Sequence, residues 1–278
     1  MGDDQFDDDP TVKRLESRIA DLLGKEAALW LPSGTMADQI ALRVLTRPGD
    51  DVIVSRESHA VWHETGGSAA NAGVQLTEIG QGGIFTAAEF LAARKPRGHM
   101  IYPPTTLVEV ENTHNRAGGV VFPTDEAERV CAAAREHDIA TYLDGARLWN
   151  AAVASDRSVR ELAAPFDLVA VALSKGLGAP GGTVLAGPHE LMPSIVRYRR
   201  MAGGAMRQIG IFAAAGLYAL EHNLPEAARR PRQRLADRRT TRGQHGFRSR
   251  PRLSSDQHPR LPSREPVARC ADCRRSGT

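Results

Sequence analysis

The residues that carry the most chemical information are an aspartate and a lysine that each follow a short apolar segment. Asp144 comes directly after the apolar run 139–143, and Lys175 follows the run 168–173 after one serine. Continuous apolar runs of this length are typical of parallel strands covered on both faces, and ligands of open α/β sheets bind just beyond the carboxyl ends of such strands. An amine and a carboxylate at that position suit pyridoxal 5′-phosphate (PLP), because the lysine can form a Schiff base and the carboxylate can keep the pyridine nitrogen protonated.

Each of these two motifs also has an ordinary explanation. Asp-Gly after a strand commonly forms a turn, and Ser-Lys-Gly commonly lies in an exposed loop. A third polar motif favours the cofactor. Ser33, Gly34 and Thr35 stand between an apolar segment and a helical pattern, where the free amides of a helix N-terminus can bind a phosphate, although helix capping alone would also explain them.

Two histidines and an arginine are further candidates for the same site. His59 and His114 each follow an apolar segment, and polar residues in such loops serve either a binding site or a turn. A single histidine is more often structural than catalytic. Arg207 precedes a helical pattern, where a positive charge opposes the helix dipole, so an anionic partner such as a phosphate is expected there.

Apolar periodicity predicts strands that alternate with helices, which is typical of an α/β, doubly wound domain with a mostly parallel sheet. The predicted helices are 11–23, 36–45, 87–94, 124–137 and 209–220, and the predicted strands are 27–31, 52–55, 74–79, 106–111, 139–143 and 168–173.

The charge distribution divides the chain near residue 225. Residues 1–224 have a net charge of −7, whereas residues 225–278 have a net charge of +10, with 15 arginines and no lysine. The second part has few large apolar residues and no sustained period, so it cannot bury enough surface to fold alone. It is either a frameshifted or disordered tail or an arginine-rich nucleic-acid-binding arm. The shortage of aromatic residues favours the former and makes nucleic-acid binding the weaker interpretation.

Cysteines and targeting signals add little. Cys131 lies in a helical pattern and is predicted to be buried, while Cys270 and Cys273 have no second pair of ligands and their role stays open. No metal site is predicted. The start of the chain is acidic, and no apolar run is long enough to span a membrane, so a cytoplasmic protein is expected.

Six motifs together resemble the low-specificity L-threonine aldolase family, within the β-eliminating-lyase group of fold-type-I PLP enzymes. They occur in the family's order across about residues 2–224, although the N-terminus is shorter and residues 225–278 are unlike the family. The motifs are Gly2–Thr11, Pro32–Met36, Glu111–Arg116, Asp144–Ala151, Ser174–Pro180 and Gly203–Gln208.

The resemblance implies a role for each candidate residue. Lys175 would form the Schiff base with PLP, and Asp144 would pair with the pyridine nitrogen. His59 would stack on the ring, and His114 would lie near the β-hydroxyl of the substrate. The remaining implied contacts are Ser33, Gly34 and Thr35 with the phosphate, Arg147 with the substrate carboxylate, and Arg207 with a phosphate across a subunit boundary.

The resemblance also implies an activity and an assembly. The expected fold is an aspartate-aminotransferase-like large domain, with the C-terminal small domain absent or disrupted. The expected reaction is retro-aldol cleavage of L-threonine or L-allo-threonine, or of other β-hydroxy-α-amino acids, to glycine and an aldehyde. A homodimer or homotetramer with its site at the subunit interface is expected. Another PLP-dependent β-eliminating lyase, or a catalytically silent PLP-binding fragment, remains the alternative.

Overall fold

Helices and strands alternate along the chain in the computed structural model, which describes residues 2–6 and 8–224. The helices are α1 (Pro10–Leu23), α2 (Gly34–Leu45), α3 (His59–Trp62), α4 (Ala87–Ala93), α5 (Thr124–Glu136), α6 (Leu148–Ser155), α7 (Val159–Ala163) and α8 (Met192–Met201). The strands are β1 (Ala27–Leu31), β2 (Asp51–Ser55), β3 (Gln75–Ile79), β4 (Thr105–Glu111), β5 (Ala140–Gly145), β6 (Leu168–Ala172) and β7 (Thr183–Gly187). Residues 210–224 are helical as well.

The strands form one seven-stranded sheet in the order β1-β7-β6-β5-β4-β2-β3. The five strands from β3 to β6 are parallel to their neighbours, whereas β7 runs antiparallel to both β6 and β1. Strand β1 therefore has the same direction as the five parallel strands. The carboxyl ends of six strands consequently meet at one edge of the sheet, and the prediction of a mostly parallel α/β fold is confirmed.

Alternate residues of the strands pack into two different apolar clusters, one on each face of the sheet. In β4, Val108 and Val110 belong to one cluster and Leu107 belongs to the other. In β5, Leu143 and Tyr142 divide in the same way. Burial on both faces explains why the strands read as unbroken apolar runs rather than as alternating patterns.

The predicted elements are present, with ends that differ by a few residues. Helix α1 stops at Gly24, which adopts a left-handed conformation with φ of 68°. Helix α2 begins two residues earlier than predicted, so Gly34 and Thr35 belong to its first turn. Strand β7 and helices α3, α6, α7 and α8 were not predicted.

Other predictions concern burial and membranes. Cys131 lies in the core as predicted, and burial raises the pKa of its thiol to about 12. None of the helices in the described part of the chain is long and apolar enough to cross a lipid bilayer. The predicted tail 225–278, with Cys270 and Cys273, lies outside the described residues, and the domain boundary at residue 224 stays a prediction.

Candidate active site

Five of the residues selected from the sequence follow the carboxyl ends of strands that point to the same edge of the sheet. Asp144 is the penultimate residue of β5, and Lys175 lies three residues after β6. The histidines follow β2 and β4, since His59 begins α3 and His114 comes three residues after Glu111. Ser33 follows β1 and caps α2. The topology therefore gathers these side chains at the edge where open α/β sheets bind ligands.

Asp144 is buried, and its carboxylate accepts a hydrogen bond from the amide of Ala146 at 3.0 Å. Its pKa is raised to about 6, chiefly by burial and next by the negative charge of Glu111. The charges of Lys175 and His59 act in the opposite direction and lower this pKa. Lys175 and His59 are thus close enough to Asp144 to interact with its charge. A cationic group beside Asp144 would stabilise the ionised carboxylate.

Lys175 differs from the other lysines in its surroundings. The chain has four lysines, and the side chain of Lys175 is exposed at the site. The amine of Lys25 donates to the carbonyl of Phe166, and the amine of Lys95 forms an ion pair with Asp51 at 2.6 Å. Lys175 is also the lysine whose charge lowers the pKa of Asp144.

His59 is held by a carboxylate that sequence reasoning missed. Its Nδ1 lies 3.4 Å from Oε1 of Glu64, whose side chain is buried. The hydrogen bond with Glu64 is the main cause of the raised pKa of His59, and burial acts against it. Oε2 of Glu64 in turn accepts a hydrogen bond from Gln39 of α2 at 2.5 Å. This chain of contacts connects the imidazole of His59 to helix α2, which Ser33 caps.

His114 is buried and is fixed by its neighbours. Its Nδ1 accepts a hydrogen bond from the amide of Ala117 at 3.2 Å, and its Nε2 lies 3.5 Å from Oε2 of Glu111. Its ring also packs against Gly83, where a β-carbon would lie 2.5 Å from Cγ of His114. The side chain is therefore confined on three sides.

The start of α2 can accommodate an anion. The hydroxyl of Ser33 accepts a hydrogen bond from the amide of Met36 at 3.2 Å, which confirms the capping role that the sequence left open. The nearest atom to a β-carbon placed on Gly34 would be Oγ1 of Thr183 at 3.8 Å, so the space beside Gly34 is open. A cavity of about 370 Å³ adjoins Ser33 and Thr35, but neither Asp144 nor Lys175 lines it. Open amides at the start of a twelve-residue helix suit an anionic group such as a phosphate.

The two arginines selected from the sequence have different environments. Arg147 is half-buried at the N-cap of α6, three residues after Asp144. Arg207 is exposed, and its guanidinium pairs with Asp3 at 3.2 Å and lies over the ring of Phe6 at 5.8 Å. Arg147 thus lies between the end of β5 and the start of α6, whereas Arg207 contacts residues 3 and 6 near the N-terminus.

Buried carboxyl groups near Asp144 were also missed. Burial, followed by the negative charge of Asp144, raises the pKa of both Asp38 and Glu109 well above the ordinary range. Asp38 accepts a hydrogen bond from the hydroxyl of Tyr142 at 2.5 Å. Asp38 and Glu109 lie in the middle of predicted elements, where no pattern distinguishes them from other core positions.

Although the sequence predicts no metal site, the structure groups three side chains that could hold a cation. Ligand atoms of Asp38, His59 and Glu64 lie within 4.8 Å of one another. Asp38 and Glu64 already accept hydrogen bonds from Tyr142 and Gln39. A hydrogen-bonded network thus accounts for this arrangement without an ion.

Comparison with known proteins points to one family of enzymes. The family model described as "Beta-eliminating lyase" matches residues 1–251. Low-specificity L-threonine aldolase 1 of Arabidopsis thaliana is 40% identical over 230 residues, which is 81% of this chain and 64% of that protein. The low specificity L-threonine aldolase of Escherichia coli K12 is 39% identical over 225 residues, which is 81% of this chain and 67% of that protein. The chain therefore spans about two thirds of the length of these relatives.

Solved structures agree with the fold. A putative L-allo-threonine aldolase from Listeria monocytogenes aligns with a TM-score of 0.73 and 28% identity, over 80% of this chain and 60% of that chain. The threonine aldolase of Leishmania major aligns with a TM-score of 0.72 over 87% of this chain and 71% of that chain. At 22% identity, the second alignment supports the fold alone.

Proposed function

The chain belongs to the beta-eliminating lyase family, and on that premise we propose that it is a PLP-dependent aldolase of β-hydroxy-α-amino acids. Its proposed reaction cleaves L-threonine or L-allo-threonine to glycine and acetaldehyde. The observation that carries this proposal is the placement of Lys175 beside the buried Asp144 at the sheet edge, in a chain about 40% identical to L-threonine aldolases.

The residues of the site fit the parts of PLP. The amine of Lys175 is available to form the covalent bond with the cofactor's aldehyde, and Ser33, Gly34 and Thr35 offer the open helix start to its phosphate. When bound, PLP supplies an electron-accepting ring that stabilises negative charge at Cα of the amino acid. Asp144 would keep the ring nitrogen protonated, and a positive charge at that nitrogen would hold Asp144 in its ionised form.

Arg147 determines which bond of the substrate breaks. A guanidinium can bind a carboxylate through two parallel hydrogen bonds, which fixes the rotation of the amino acid about its Cα–N bond. By fixing that rotation, Arg147 would select the Cα–Cβ bond as the one whose electron pair the cofactor could accept when bound. The β-hydroxyl must lose its proton as the aldehyde forms, and in the proposed reaction this proton goes to His59 or to a water near His59 and His114.

Products distinguish the proposed reaction from its alternatives. The full chain, loaded with PLP, is incubated with L-threonine and L-allo-threonine, and glycine, acetaldehyde, ammonia and 2-oxobutanoate are quantified. Equal amounts of glycine and acetaldehyde support the aldolase. Ammonia with 2-oxobutanoate would instead identify a β-eliminating lyase. A loaded protein that forms none of these products would be the catalytically silent PLP-binding fragment.

A homo-oligomer is part of the same proposal. Arg207 is exposed, and the nearby side chains of Met206 and Ile211 are exposed too, which favours contact of this region with another subunit. Arg207 would then reach the cofactor phosphate of a neighbouring subunit. Mixing the K175A and R207A variants tests this directly. Activity that returns only on mixing supports a shared site, whereas a monomer by light scattering would contradict it.

A dimer and a tetramer both remain possible outcomes of the light-scattering measurement. The cytoplasmic location expected from the sequence stays a prediction.

A further inference from the structure

Glu111 contacts two separate segments of the site with one buried carboxylate. It is the last residue of β4 and is 3% exposed. Its Oε2 accepts a hydrogen bond from the amide of His59 at 3.0 Å, and its Oε1 accepts one from the amide of Asn115 at 2.8 Å. His59 begins α3, and Asn115 lies in the loop after β4. The carboxylate therefore ties together the two segments that carry the candidate histidines.

The imidazole of His114 is directed at the same carboxylate. Because Nδ1 of His114 accepts the hydrogen bond from Ala117, the proton of the neutral ring is assigned to Nε2. That Nε2 lies 3.5 Å from Oε2 of Glu111, the oxygen that also faces the amide of His59. Oε2 of Glu111 thus contacts both the backbone amide of His59 and the ring of His114.

The imidazole of His59 is held from a different direction. Its Nδ1 faces Glu64, while its backbone amide faces Glu111. Glu64 controls the orientation of the ring, and Glu111 controls where α3 begins. Loss of Glu111 would therefore move His59 as a whole relative to His114, without removing the contact between His59 and Glu64.

From these contacts we propose that Glu111 is a positioning residue that holds His59 and His114 in a fixed relation to each other beside Asp144. The role of Glu111 in turnover rests on the proposed aldolase reaction, which assigns His59 and His114 to the neighbourhood of the substrate's β-hydroxyl. Its role in geometry is independent of that reaction and can be measured without cofactor.

Glu109 provides a matched control on the same strand. It is 1% exposed and lies two residues before Glu111, so both side chains are on the same face of the sheet. Neither of its carboxylate oxygens has a hydrogen-bond partner in the described part of the chain. The E109Q variant thus replaces a buried carboxyl group near Asp144 while leaving the contacts of both histidines unchanged.

The geometric role is tested by hydrogen exchange and nitrogen NMR on the cofactor-free full chain. In E111A, we expect faster exchange of three protons than in the unsubstituted protein: the amides of His59 and Asn115 and the Nε2 proton of His114. E109Q should leave all three unchanged. E111Q should have a smaller effect than E111A, because an amide oxygen can still accept one of the two backbone hydrogen bonds.

The catalytic consequence is tested on the PLP-loaded chain with L-threonine. A displacement of about 1 Å can cost about 100-fold in rate, so kcat/KM should fall by about that factor in E111A. Most of the loss should be in kcat, because the carboxylate-binding Arg147 is not touched. E111Q should retain more activity than E111A, and E109Q more than either.

Three outcomes would overturn the proposal. They are unchanged exchange at the three protons in E111A, a change at only one of the two histidine segments, or a kcat/KM equal to that of E109Q. If E111A does not fold, E111Q decides by the same measurements. If the unsubstituted chain releases no aldehyde, the proposed function fails while the exchange data still decide the positioning role.

Discussion

Glu111 and Asp144 lie opposite each other on the neighbouring parallel strands β4 and β5, and the charge of Glu111 opposes the ionisation of Asp144. Together with burial, it raises the pKa of Asp144 to about 6. The folded chain therefore binds a proton at Asp144 more tightly than the unfolded chain does. Between about pH 4 and pH 6, this group makes the folded state less stable as the pH rises, which is the opposite of a salt-bridged carboxylate.

The first prediction concerns the stability of the D144N variant without cofactor. Asparagine removes the buried charge, so D144N should be more stable than the unsubstituted chain above pH 6, by at most about 3 kcal/mol. The difference should shrink as the pH falls towards 4, where Asp144 is protonated. Urea unfolding from pH 4 to pH 7 measures both free energies. A difference that does not vary with pH would contradict the raised pKa.

The second prediction identifies the lysine that binds PLP. Borohydride reduction of the loaded chain followed by peptide mapping should place the pyridoxyl group on Lys175. Lys25 is the internal control, because burial lowers the pKa of its amine. If the unprotonated fraction of the amine alone decided reactivity, Lys25 would react with the aldehyde more readily than a lysine of ordinary pKa. A label on Lys25 would show that the sheet-edge site is wrong. The K175A variant should lose the visible absorbance band.

A third prediction concerns Arg147 and the substrate carboxylate. Lysine cannot form the two parallel hydrogen bonds of a guanidinium, so R147K should raise KM and lower kcat, with a combined loss of about 100-fold in kcat/KM. The absorbance of bound PLP should not change. R157K serves as a control, because Arg157 is exposed and pairs with Glu161 on the surface. Equal kinetics for the two variants would remove Arg147 from substrate binding.

The fourth prediction uses two adjacent glycines. Gly82 and Gly83 have φ of 61° and 81°, so alanine is strained at both positions and should cost about 1 kcal/mol at each. A β-carbon at Gly82 would have no atom within 4 Å, whereas one at Gly83 would clash with His114. G83A should therefore be less stable in urea than G82A and should lose far more activity. Similar activity in both variants would show that His114 need not be held in place.

The sequence predicts the fold and the central pair of the site because both depend on local patterns. Burial on both faces produces the apolar runs of β5 and β6. Asp144 and Lys175 stand at or just after the ends of those runs, where a sequence pattern can locate them. Strand β7 was missed although it is also fully buried, because its apolar run covers only residues 184–186 and has glycines close by on both sides. Periodicity does not identify a run of three apolar residues as a strand.

The supporting carboxylates could not be predicted in the same way. Glu64 acts through His59 and Gln39, which lie in separate segments, and only the tertiary structure joins them. Glu111 lay within a motif that resembles the family, but its contact with His59 spans 52 positions along the chain. A motif shows which residues occur together in sequence, whereas these contacts depend on how α3 packs beside β4.

The buried carboxyl groups around Asp144 also link folding to the supply of the proposed cofactor. Asp38, Glu109 and Asp144 each resist ionisation there, so a bound cation relieves part of their mutual repulsion. A ligand that binds only the folded chain adds about 2.7 kcal/mol of stability at 100 times its Kd. In a cell, chains that lack PLP would unfold more often and would be degraded sooner. The amount of this protein would then follow the availability of its cofactor as well as the rate of its synthesis.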